Sequence, residues 1–186
     1  MEVSSLKNQK KKNGMSAQYR WALTVFLMAV ALSAVLSLAS ESMLEGAGMA
    51  AALLMLALFI GLGILFDIIG VAVTSADPKP FHAMAAHKEK GAKESLMLLR
   101  NAGRVSSVCN DVVGDICGIV SGATGAVIVT QLQQALNLRT VLISVGVTAL
   151  VSGLTIGGKA LGKTFAIQKS TKVVYWAGRV LHIFHR

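Results

Sequence analysis

The stretch Val108–Gly118, "VCNDVVGDICG", decides the fold. With its flanks it lies in an apolar run from Val105 to about Thr130, and a bilayer is crossed by about 17–25 such residues. Yet it holds Asn110, Asp111 and Asp115, and carboxylates at membrane depth are costly, rare and turned toward a bundle interior. Read as a span, it is the third of four. Trp21–Ser40 and Thr140–Gly158 carry no charge, and Met49–Val73 carries only Asp67.

Composition agrees with a chain built for lipid. Of 186 residues 54% are hydrophobic, against about 45–50% in soluble domains even when glycine is counted. A cleavable signal peptide would account for Trp21–Ser40 alone, but its apolar core is longer than the usual h-region and no small-x-small site leads into a soluble domain.

The net charge of +9 would suggest nucleic acid in a soluble protein, but its distribution excludes that partner. Five of the eighteen Lys and Arg residues lie in residues 1–20, six in 74–104 and six in 159–186. Segments 41–48 and 131–139 hold one between them, Arg139. Because basic loops stay on the cytoplasmic side, this alternation predicts a multi-pass cell-membrane protein with both termini and the middle loop in the cytoplasm. The same charges favour anionic lipid headgroups. The two cysteines, Cys109 and Cys117, are eight residues apart on one helix, too far to bridge each other, and imply no disulfide framework.

Outside the spans the chain divides simply. Residues 1–18 are polar and basic and predict a disordered cytoplasmic arm. Residues 19–48 supply an N-terminal span, with Tyr19, Arg20 and Trp21 at its interfacial entrance, and an outer loop. Within 49–186, Pro78 and Pro80 forbid continuous helix after the second span. Phe81, Met84, Leu96, Leu98 and Leu99 then allow short juxtamembrane helices parted near Gly91. At the end, Val173, Trp176, Ala177, Val180, Leu181 and Phe184 recur at helical spacing while Lys172, Arg179 and Arg186 take another face, which predicts an interfacial amphipathic helix. The fold class is therefore all-α, a membrane bundle of four transmembrane helices with juxtamembrane and interfacial additions. No catalytic motif is present, so no enzyme is expected. His182 and His185 make an H-x-x-H pair and His82 and His87 stand alone; all four read as surface residues.

The segment "HAMAAHKEKGAKESLMLLRNAGRVSSVCNDVVGDICGI" resembles the transmembrane domain of the cyclin M and CorB/CorC magnesium-transport family. That family shows a Ser-Gly-Ser-Glu-Thr-Ala helix, a juxtamembrane Gly-Ala-Lys, a helix with Ile-Gly-Asn, and a helix ending in Gly-Glu-x-x-Pro-Lys-Thr. Here Gly91-Ala92-Lys93 occupies the middle landmark, and "GKALGKTFAIQKSTKVVYWAGRVL", Gly158–Leu181, is similar to the closing one with its belt-like helix. The departures are specific. Lys159 stands where the family has glutamate, Gly162 where it has proline, and Gly70 at the glutamate of the first motif. The resemblance covers the transmembrane domain, and the soluble regulatory domains that often follow in the family are not expected within residues 1–186. The resemblance implies Mg²⁺ transport or its regulation, and a homodimer.

A Mg²⁺ site needs oxygen ligands and usually keeps several waters. The candidate set is Asp67, Asn110, Asp111 and Asp115, with Asn110 nearest the family asparagine. Asp111 and Asp115 are i,i+4 on one helix face, which Gly118, Gly122 and Gly125 continue. Two expectations stand side by side. In one, these residues line an inward-open cavity between the second and third spans and bind a divalent cation. In the other, the aspartates are hydrated or neutralised by Lys159 and Arg104, Asp111 lying about 10 Å from Arg104 along the axis, and the chain is a non-conducting scaffold or partner-binding subunit. Glycines spaced by four, Gly114, Gly118 and Gly122, would serve helix packing in either case.

Overall fold

The computed structural model describes residues 2–44, 46, 48–137 and 140–184, with side chains from Tyr19 onward. Among the described residues all regular structure is helical. The elements are α1 (Glu2–Leu44), α2 (Met49–Ser75), α3 (Lys79–Ala86), α4 (Ala92–Arg100), α5 (Ala102–Ser107), a π-helix, π1 (Val108–Gly114), then α6 (Asp115–Leu136), α7 (Val141–Gln168) and α8 (Ser170–Phe184). Four stretches are long and apolar enough to cross a membrane: Tyr19–Leu44, Met49–Ser75, the continuous Ala102–Leu136, and Val141–Gln168. Arg186 and His185 lie outside the described residues.

Helix α2 is the centre of the bundle. It packs against α5, π1 and α6 on one side, α7 on another, and α8 at its end. Glycines on α7 set the closeness of one contact: a Cβ built on Gly158 runs into Ile64, and one on Gly162 would lie 2.9 Å from Ile68 Cγ1. The gap of four residues between these glycines puts both on one face, so α7 lies flush on the isoleucine ridge. By contrast α1 touches the bundle along one seam. Val25, Ala29, Leu32 and Leu36, spaced four, three and four, pack on a core of Phe59, Val112, Ile116, Cys117 and Val120. At the basic end of the bundle the Arg104 guanidinium lies 5.1 Å from the centre of the Trp21 ring, holding α1 to α5.

Three boundaries differ from the sequence expectation. Helical backbone continues to Glu2 through the segment expected as a disordered arm, because extending a formed helix is far cheaper than starting one and no proline interrupts it. The fourth span does not stop at Gly158 but runs to Gln168, since lysines are good helix formers and Lys159 and Lys163 end the apolar run without ending the helix. The third span begins as α-helix, widens to π between Val108 and Gly114, and resumes as α6.

The juxtamembrane part is as expected. Pro78 and Pro80 open α3, and Gly91, at φ +87°, parts α3 from α4. Gly91 is held there by close approach as well: a Cβ on it would lie 2.8 Å from the Arg179 backbone. Across the same crossing a Cβ on Gly178 would strike Ser95 Oγ and lie 2.6 Å from Gly91 O. The buried Ser95 hydroxyl is 2.8 Å from Gly91 O and 3.2 Å from Val174 O, tying α4 to α8. Phe81, Leu98 and Val174 join Ala72, Val73 and Ala166 in the core beneath. Outward, α8 exposes Trp176, Val180, Ile183 and Phe184 in one stripe, as an interfacial helix should.

Candidate functional site

The polar residues of the spans gather at one level of the bundle, near its basic end. On α2, Gly63, Asp67 and Gly70 share a buried face, as spacings of four and three require. Gly63 faces Gly114 and Cys117: a built Cβ would sit 3.2 Å from Cys117 Cβ and 3.7 Å from Gly114 O. Gly70 faces Asn110, whose Oδ1 occupies the space a Cβ would fill. Asp67, one turn from each, is thereby aimed at the π-helix between Asn110 and Gly114. It is 4% exposed.

The π-helix shapes the opposite wall. Its i→i+5 turns are wider than α turns and leave one residue in excess of the α register. Gly114 admits the wide turn, since a Cβ there would meet Cys109 O at 3.3 Å. Asn110 is half-buried, and its amide nitrogen reaches Ser106 Oγ at 3.3 Å, one turn back. That bond fixes the amide so that Oδ1 points at α2. Neither Asn110 Oδ1 nor Asp67 Oδ2, both inaccessible to solvent, has a hydrogen-bond partner among the described residues. Two acceptor oxygens, one of them a carboxylate's, are thus buried on the facing walls of one seam and unsatisfied among the described residues. Such groups are rare and expensive unless something else pairs with them.

The four sequence candidates do not act as one set. Asp67 and Asn110 are brought together across Gly70; Asp111 and Asp115 are exposed, on the face continued by Gly118 and Gly122. Asp111 accepts a 2.8 Å hydrogen bond from Ser107 Oγ. The glycine stripe borders a shallow groove of about 200 Å³ between α6 and α7, where Thr148, Ser152 and Thr155 stand opposite. Among the described residues no group of three or more His, Cys, Asp and Glu side chains converges as a metal cage. Any ion in the Asp67 seam would therefore keep waters, which suits Mg²⁺: it is commonly held by one or two carboxylates with the remainder hydrated.

The counter-charges lie apart from the carboxylates. Arg104 is committed to Trp21. The Lys159 ammonium reaches from α7 over the bare backbone of Gly114, 3.6 Å from where its Cβ would stand. No carboxylate oxygen among the described residues lies within 4.0 Å of either Lys159 or Arg104. Elsewhere, His182 Nδ1 on α8 lies 2.8 Å from Glu94 Oε1 on α4. His82 and His87 are exposed, as expected of surface residues. Sequence reasoning missed Gly70 as part of the site. The signal was available, since it stands where the related family places an acidic residue, but only the structure shows that the vacated space is filled by Asn110.

No curated protein and no solved structure matches the chain. The cyclin M transmembrane N-terminal domain model matches residues 53–186, which takes in α3 to α8 entire and α2 from its second turn. Span pattern, juxtamembrane pair and closing helix, together with that match over most of the chain, make this multi-pass membrane protein a member of the cyclin M (CNNM) transmembrane family.

Proposed function

We propose that this protein binds a divalent cation, with Mg²⁺ as the leading candidate, in the seam between α2 and π1, and serves its transport or the regulation of that transport. The observation that carries this is the pair of buried, unpartnered oxygens, Asp67 Oδ2 and Asn110 Oδ1. A carboxylate at 4% exposure with no cation within ion-pairing distance asks for a mobile one. A hydrated Mg²⁺ supplies two charges there and lets waters reach the π-helical backbone. With the basic segments on the cytoplasmic side of a cell membrane, the seam lies toward the cytoplasmic face. Asp111 and Asp115, exposed nearby, then raise the local cation concentration without ligating. Nothing in this arrangement pairs a nucleophile with a base.

A second reading keeps the fold and drops the ion: a scaffold in which Lys159 stays near the carboxylate as a fixed counter-charge. Its support is the ammonium over Gly114. Isothermal titration of Mg²⁺ into the detergent-purified chain separates the two. Saturable binding that Asp67→Asn abolishes, followed by Mg²⁺ flux in liposomes, supports the ion site. Absence of binding both in the wild type and in Lys159→Gln would overturn it and leave the scaffold.

A further inference from the structure

Lys159 is built into the seam. It follows Gly158 and precedes Gly162, the two glycines that let α7 settle onto Ile64 and Ile68 of α2. That closeness brings a half-buried lysine within reach of π1, and its Nζ ends beside Gly114. Gly114 O also lies against Gly63, one turn before Asp67 on α2. The ammonium therefore stands about one helical turn from the level Asp67 faces, yet beyond 4.0 Å of any carboxylate oxygen among the described residues. Lys163, one turn further toward the basic end, is exposed. An exposed lysine at that depth extends its ammonium to the interface, where headgroups and water receive it. Lys159 turns inward.

We infer that Lys159 is a tethered competitor for the cation seam: its ammonium and the divalent ion cannot both be close to Asp67, so binding requires the side chain to withdraw. This rests on the cation-site reading above and adds its regulation. A positive charge held near the seam weakens an entering dication by direct repulsion and attracts the same carboxylate. Four-carbon reach and three rotatable donors let the ammonium leave without moving the backbone. The chemistry selects by charge: a neutral side chain at 159 relieves the competition, and an arginine, which cannot shed its charge, preserves it.

The experiment is Mg²⁺ titration calorimetry on the full chain in detergent, comparing wild type with Lys159→Met, Lys159→Gln and Lys159→Arg, and with Asp67→Asn as the site control. Expected is a Kd lowered at least about tenfold in both neutral variants, equivalent to about 1.4 kcal/mol, and unchanged or raised in Lys159→Arg. Mg²⁺ binding seen only in the neutral variants would support the same conclusion in stronger form. An unchanged or raised Kd in the neutral variants, with wild-type binding that Asp67→Asn removes, would overturn the competition and leave the site standing. No binding in any variant would overturn the site and the competition together. Aggregation of both neutral variants would show that the fold needs the ammonium where it lies, which also overturns a side chain free to withdraw.

Discussion

Three glycines on α2 face different surroundings, so alanine at each position tests the packing of the seam on one helix. At Gly61 a Cβ meets nothing within 4 Å; at Gly63 it meets Cys117 Cβ at 3.2 Å; at Gly70 it runs into the Asn110 carboxamide. Every Gly→Ala change gains up to about 1 kcal/mol in helix propensity. Differences between them cancel that gain. For Gly70→Ala the Asn110 amide must swing away, giving up its 3.3 Å bond to Ser106, about 1 kcal/mol. Overpacking adds about 1–3 kcal/mol. The expected gap between Gly61→Ala and Gly70→Ala is therefore about 2–4 kcal/mol, with Gly63→Ala between them because its contact with Cys117 Cβ, at 3.2 Å, is relieved by a shift of a few tenths of an ångström. Reversible unfolding by SDS titration from mild detergent, followed by helicity, measures the three. Equal stability of Gly61→Ala and Gly70→Ala would refute the placement of Asn110 against α2, and with it the placing of its Oδ1 in the Asp67 seam.

Asp67→Asn should raise stability in EDTA, because it removes a buried charge that no protein group pairs, and should erase any Mg²⁺-dependent rise in melting temperature; a melting temperature lowered in EDTA would mean that the charge is already satisfied. Asp111→Asn and Asp115→Asn, altering exposed carboxylates, should shift the Mg²⁺ Kd by less than about threefold, the size of a screened surface effect, and abolished binding in either would move the site to the exposed face. Gly178→Val should lift α8 from α4, breaking the Ser95–Val174 and His182–Glu94 contacts while leaving the spans intact. Tryptic cleavage after Lys169, Lys172 and Arg179 should then speed at least about tenfold, the effect of losing about 1.4 kcal/mol of local protection. In a Trp21→Phe background, Trp176 emission should shift to the blue on vesicles rich in anionic lipid and less on neutral ones; no shift on either would remove α8 from the membrane surface.

Much of this architecture was legible in the chain. Apolar runs, two of them without charge, marked the four spans, because hydrocarbon admits little else, and Pro78, Pro80 and Gly91 marked the breaks between short helices. The amphipathic end was legible from spacing alone. The site was legible only in part. Asp111 and Asp115 do share a face, but which face looks at α2 depends on one extra residue in the π turn between Val108 and Gly114. No periodicity announces that residue, since it exists through packing: Gly114 tolerates the wide turn, and Gly63 and Gly70 accept the wall it presents. The result turns Asn110 inward and leaves the two aspartates out. The end of the fourth span was misplaced for a different reason. Charge marks where hydrocarbon stops, whereas a helix stops where its backbone loses partners, and α7 keeps them to Gln168.

The single seam by which α1 joins the bundle has a meaning for biogenesis. Spans leave the ribosome in order, and of the residues on which Val25, Ala29, Leu32 and Leu36 rest, Phe59 belongs to the second while Val112, Ile116, Cys117 and Val120 belong to the third. Gly158 and Gly162, the seat of Ile64 and Ile68, belong to the fourth. The first two spans thus enter the bilayer with their packing faces largely bare, and Asp67 waits beside the insertion machinery until Asn110 is made some forty residues later. Assembly of this protein is a late event, completed only when the last span closes on the second.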